Sequence, residues 1–99
     1  MSGRIERIRA ALELALAPQQ LDIEDEGHRH VGHAGARDGR GHFRVRIVAA
    51  AFEGMPLIRR HQRVYAALGD LMRSDIHALA LDTRAPGEPD TRDRDSAHD

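Results

Sequence analysis

The sequence predicts an α+β fold: a single small domain in the order α-β-β-α-α-β, with one three-stranded mixed sheet and its helices packed on one face. Three observations carry this. Apolar residues recur at helical spacing in two stretches, 5–16 and 57–72. Three shorter stretches, 21–25, 42–48 and 76–81, have the alternation or apolar density of strands. The last two strands are separated by a long helical stretch, which favours parallel pairing through a right-handed crossover, whereas the first two are joined only by a loop and read as a hairpin.

The elements follow in order. Ser2 can cap a first helix whose apolar positions Ile5, Ile8, Leu12 and Leu16 share a stripe, with Arg4, Glu6, Arg7 and Glu13 outside it. Ala17-Pro18 closes that helix. Leu21 to Asp25 alternates apolar with acidic, the pattern of a half-buried edge strand. Residues 27–41, GHRHVGHAGARDGRG, hold five glycines and three histidines with almost nothing to bury, so they are expected to form a long flexible loop. In the second strand Phe43, Val45 and Ile47 face one way and His42, Arg44 and Arg46 the other. Phe52-Glu53-Gly54 makes a turn, and Pro56 suits a first helical position because its missing N–H costs nothing there. From Leu57 the apolar stripe is Leu57, Ile58, Val64, Tyr65, Leu68, Leu71 and Met72, leaving Arg59, Arg60, Arg63 and Asp70 for a wet, basic face. The third strand, Ile76–Leu81, is apolar apart from His77. The domain is expected to span 1–84, with 85–99 as a polar, disordered tail.

Composition narrows the function classes. A chain of 99 residues suffices for one small, aliphatic core. It has no run long enough to span a bilayer and no secretory h-region, so a cytoplasmic protein without membrane contact is expected. With no cysteine there is no disulfide, no thiol nucleophile and no self-contained thiolate metal site. A formal net charge of −1 argues against binding nucleic acid by bulk charge, although a local basic face remains open. There is no nucleophile elbow, phosphate loop or paired-carboxylate cleft, so an enzyme is not expected. The acidic run Asp22, Glu24, Asp25 and Glu26 is expected to guard a sheet edge.

Histidine is the chemical signal, with seven in the chain. The imidazole of His77 is a good ligand for cluster iron; equally, it could fill an apolar strand with its nitrogens bonded to backbone. His28, His30 and His33, spaced by two and three, could bind Zn²⁺ or iron, act as a pH sensor, or belong to a plain solvated loop. His61 reads as a packed helix residue, and His42 as a contribution to the basic strand face, with a metal role as its lesser alternative. Arg59, Arg60 and Arg63, with Arg44 and Arg46 beside them on the sheet, could contact phosphates or receive an acidic partner. Only Gly54 stands where a phosphate-clamping loop would need two glycines, and Phe43, Phe52 and Tyr65 are all expected in the core, which leaves no stacking platform.

Four ordered segments resemble the BolA family: Asp25 to His30; Gly41-His42-Phe43-Arg44-Val45; Ala51-Phe52-Glu53-Gly54 with Arg59 to Tyr65; and Ile76-His77-Ala78-Leu79-Ala80-Leu81. They cover roughly 4–84, with Gly27 standing where the family usually has serine. The resemblance implies a class II KH-like fold. It also implies a partnership with a monothiol glutaredoxin and its glutathione, in which a [2Fe–2S] cluster is shared and the chain alone carries no cofactor. Carried over residue by residue, the ligands are His77 and His30, with His33 as a substitute from the same loop. The resemblance further implies a link to transcription and stress, so a DNA-binding regulator using the basic helix is the alternative function; the sequence leaves open whether the chain forms a homodimer.

Overall fold

The computed structural model describes residues 3–26 and 41–89. Its order is helix α1 (Arg4–Leu16), strand β1 (Gln20–Asp25), strand β2 (Gly41–Val48), a 3₁₀ turn (Ala50–Phe52), helix α2 (Leu57–Leu68), the short helix α3 (Leu71–Ser74) and strand β3 (Ile76–Arg84). This is the expected α-β-β-α-α-β order. The sheet runs β1-β2-β3, with β1 antiparallel and β3 parallel to β2.

One apolar core lies between the sheet and the helices. Helix α1 buries Ile8, Leu12 and Leu16 at successive i,i+4 positions, as its stripe requires. It caps on Gly3 without a side-chain bond, and Ser2 lies outside the described residues. Its C-terminus is Ala17 in the left-handed region (φ 44°, ψ 57°), donating its N–H to Glu13 O at 3.1 Å, with Pro18 blocking any continuation. Beneath α1, Phe43, Val45 and Ile47 of β2 are buried, while His42, Arg44 and Arg46 turn to the opposite face. Phe52, Val64, Leu68 and Ile76 complete the core.

The region after β2 departs from expectation in four ways. Pro56 is the N-cap of α2 rather than its first residue. The apolar stripe read as one run over 57–72 is divided between the two helices at Gly69, whose backbone (φ 53°, ψ −124°) is open to glycine but strained for other residues. The buried stripe of α2 is Arg60, Val64 and Leu68, so Leu57 (61% exposed), Ile58 (67%) and Tyr65 (41%) lie on the surface. The stripe is rotated because Arg60, expected on the wet face, is only 9% exposed. Its Nε donates to Met55 O at 2.7 Å and its Nη1 to Thr83 O at 3.3 Å. The guanidinium closes a fork on Glu88, and its carbon stands 6.0 Å from the centre of the Phe52 ring. A buried arginine is tolerable when its donors are met by carbonyls and a carboxylate, as here.

The fourth departure concerns the domain end. Expectation placed the boundary after residue 84, but Ala85 is buried at 4% exposure and Glu88 accepts its N–H at 3.0 Å. The packed chain therefore reaches Glu88. Residues 90–99 of the tail expected over 85–99 lie outside the described residues, as does 27–40 of the histidine loop.

Candidate functional site

The sheet face turned away from the helices carries the polar residues of β1 and β2. Cα register sets Asp22 opposite Arg46 and Glu24 opposite Arg44. The ion pairs run diagonally: Arg44 Nε donates to Glu26 Oε2 at 2.9 Å, and Arg46 Nη1 stands 3.8 Å from Glu24 Oε2. Diagonal neighbours across an antiparallel pair are within reach of long side chains. The acidic run on the edge strand thus does more than guard the edge; it engages the sheet arginines.

This divides the five arginines that the sequence groups as one partner or nucleic-acid face. Arg44 and Arg46 lie on the open sheet face, paired with carboxylates. Arg60 is buried in the core and bound to Glu88. Only Arg59 and Arg63 are exposed on α2, which packs against the other side of the sheet. The expected single basic surface is not formed, because strand alternation sends Arg44 and Arg46 away from the helix layer.

The structure instead brings together two histidines. Strands β2 and β3 pair in parallel from Gly41↔Ile76, then His42↔Ala78, so β3 holds one extra residue at this point, His77. A bulge of this kind breaks the alternation and re-aims a side chain. Ile76 is buried, whereas His77 and Ala78 in succession are exposed. The His77 ring comes to lie beside that of His42, centroid to centroid 5.0 Å and tilted by 46°. His77 is therefore not the packed strand filler that an apolar strand allows. A shallow hollow on the His42 side is lined by Glu26, His42, Phe43, Ala78, Leu79 and Ala80.

Local packing fixes this end of the sheet. A Cβ on Gly41 would stand 2.6 Å from Cε2 of Phe43, so only glycine lets the core ring fold back at the bulge. The Gly41 N–H donates to Asp75 O at 2.9 Å. The Asp75 carboxylate accepts from Arg7 and from the Ser74 hydroxyl, and Arg4 Nε stands 3.5 Å away. The hydrogen bonds from Ser74 and Arg7 hold its pKa below the usual carboxylate value. Asp75 thereby ties α1 to the residue before β3 and holds the base on which His77 stands.

The other named histidines fall elsewhere. His61 is half-buried on α2, and its Nε2 is buried without a hydrogen-bond partner, in keeping with a packing role. His30 and His33, the loop ligands that the sequence suggests, lie outside the described residues. No group of three or more histidine or carboxylate side chains is placed to hold a metal among the described residues. His42 is the residue that sequence reasoning undervalued. Aligning the second and third strands as a parallel pair, GHFRV beside IHALA, is the signal that would have found it.

The family described as BolA-like protein matches residues 12–88, an interval that ends on the same Glu88 that binds Arg60. The chloroplastic protein BOLA1 of Arabidopsis thaliana is 38% identical over 96 residues, covering 94% of this chain and 60% of its own. The chloroplastic/mitochondrial SufE-like protein 1 of Arabidopsis thaliana is 41% identical over 93 residues, covering 89% of this chain. This chain spans only 25% of that relative's length. The DNA-binding transcriptional regulator BolA of Escherichia coli (strain K12) is 37% identical over 78 residues, with 79% of this chain and 71% of that protein covered. Among solved structures, the BolA domain of SufE1 from Arabidopsis thaliana matches with a TM-score of 0.78 and 39% identity, over 90% of this chain and 99% of that one.

Proposed function

The chain belongs to the BolA-like protein family, and from that premise we propose that it is an adaptor for a monothiol glutaredoxin, donating His77 to a shared [2Fe–2S] cluster. The observation that carries this reading is the exposure of His77 on a bulge at the end of the sheet. An imidazole there is accessible to a partner, and imidazole is a competent ligand for cluster iron. The donor set fits a shared site: a chain without cysteine offers nitrogen, and the thiolates come from glutaredoxin and glutathione. His30 or His33 would supply a second ligand from the loop. When bound, the cluster would supply one-electron chemistry or a transferable iron–sulfur unit. The chain's own part is to hold the His77 ring in place through Asp75, Gly41 and the β2–β3 register. We assign it no catalytic role and place it in the cytoplasm, although both Arabidopsis relatives above carry organellar names. No helix among the described residues is long and apolar enough to cross a membrane.

The test is visible circular dichroism of a [2Fe–2S]-loaded monothiol glutaredoxin mixed with the full chain. The spectrum should change on mixing and should not change with folded His77→Ala. An unaltered spectrum with wild-type chain in excess would reject cluster sharing.

The second reading, DNA-binding regulation, draws on the name of the E. coli relative. Of the five arginines grouped for that role, α2 leaves Arg59 and Arg63 exposed. That is a small footprint for phosphate contacts, and it is why the adaptor reading is preferred.

A further inference from the structure

We infer that His42 and His77 together form a two-imidazole seat for one divalent cation of the nickel–copper–zinc class, which the chain can hold without a partner. This goes beyond cluster sharing and does not depend on it. The first support is distance. A zinc-type ion about 2.0–2.1 Å from one nitrogen of each ring lies about 3.2 Å from each ring centre, and at a near-tetrahedral angle the two centres then stand about 5 Å apart. The observed separation is 5.0 Å. The second support is how the two rings are held. They come from adjacent parallel strands, and the bulge places His77 in the register gap between Ile76 and Ala78, next to His42. The backbone positions of the two residues are therefore set by strand pairing, which lowers the ordering cost of binding. The third is access. His42 borders an open hollow and His77 is exposed, so water can complete the coordination. Neutral imidazole suits borderline cations and is a poor ligand for magnesium or calcium, which defines the class.

A plain ring contact could span the same distance, so the experiment has to separate a contact from a site. Zn²⁺ alone is titrated into the full-length chain carrying His28→Asn, His30→Asn and His33→Asn, with the histidine ring signals followed by NMR. The ring signals of His42 and His77 should move together and saturate at one equivalent. In the same background His77→Asn, which alters an exposed side chain, should abolish the shift of His42, and His42→Asn should abolish that of His77. Magnesium should move neither. The inference is overturned if neither ring shifts saturably, or if either ring titrates unchanged after loss of the other. It is also overturned if saturable binding in the wild-type chain disappears with the loop substitutions. None of these outcomes depends on glutaredoxin, so failure here and failure of cluster sharing are distinguishable.

Discussion

The guanidinium of Arg60 grips the carboxylate of Glu88 through both of its terminal nitrogens, Nη1 to Oε1 at 2.6 Å and Nη2 to Oε2 at 2.8 Å. The fork joins the first turn of α2 to the segment after β3, and Arg60 also bonds the carbonyls of Met55 and Thr83. Arg60→Ala removes the fork and both carbonyl bonds and leaves a void beside Phe52. At about 0.5–1.5 kcal/mol net for each hydrogen bond, a loss of roughly 2 kcal/mol or more is expected in chemical denaturation. Arg60→Lys should recover little, because an ammonium cannot reproduce the fork. A wild-type midpoint for Arg60→Ala would contradict this.

The same pair sets a pH dependence. The hydrogen bonds from Arg60 and from the Ala85 N–H lower the pKa of Glu88 from 4.5 to about 2. Because the folded pKa lies below the unfolded one, the pair's contribution is complete above the unfolded value and is lost as pH falls from about 4.5 towards 2. Asp75 is shifted in the same direction and adds to the same acid-side loss. Glu88→Gln should melt lower than wild type at neutral pH, and the gap should close as the acid is titrated. A gap that stays constant down to the acid limit would refute the assignment.

Exposure of His77 makes its removal structurally mild. His77→Ala should stay within about ±0.5 kcal/mol of wild type, as surface substitutions do. Phe52→Ala, at a fully buried position, should cost about 3–5 kcal/mol. Urea denaturation of the two variants side by side checks both. A large loss for His77→Ala would mean that its ring is part of the core after all.

Ala17 holds a left-handed backbone at the end of α1. A side chain in this region is strained, whereas glycine is not, so Ala17→Gly should stabilise the chain by about 0.5–1 kcal/mol, less the entropy that glycine adds to the unfolded state. A higher melting temperature is expected, and a lower one would show that the unfolded-state term wins.

If duplex DNA is bound through Arg59 and Arg63 alone, the plot of log affinity against log salt should have a slope of about −2, from two phosphates at about 0.9 each. Arg59→Ala with Arg63→Ala should remove the binding. A slope of about −4 would mean that basic residues beyond Arg59 and Arg63 contact phosphate, and would contradict a footprint of these two alone.

The sequence by itself determined the element order, the hairpin of β1 and β2, the parallel crossover to β3 and most of the core. Each rests on a local period. Phe43, Val45 and Ile47 alternate with His42, Arg44 and Arg46, and Ile8, Leu12 and Leu16 repeat every four residues. A period tells which side of its own element a residue occupies. It does not tell what stands opposite, and there the tertiary structure decided. Arg60 falls at a helix position that reads as wet, yet it is buried because Thr83 and Glu88, distant in the chain, supply its acceptors. Leu57, Ile58 and Tyr65 read as core but lie outside because that arginine takes the inward position. His77 was legible as a chemical residue from its place in an apolar strand. Its exposure was not, since a one-residue bulge shifts the register, and neither was the ring of His42 beside it. That pairing exists only once two strands nearly thirty residues apart are laid side by side and held there by backbone hydrogen bonds.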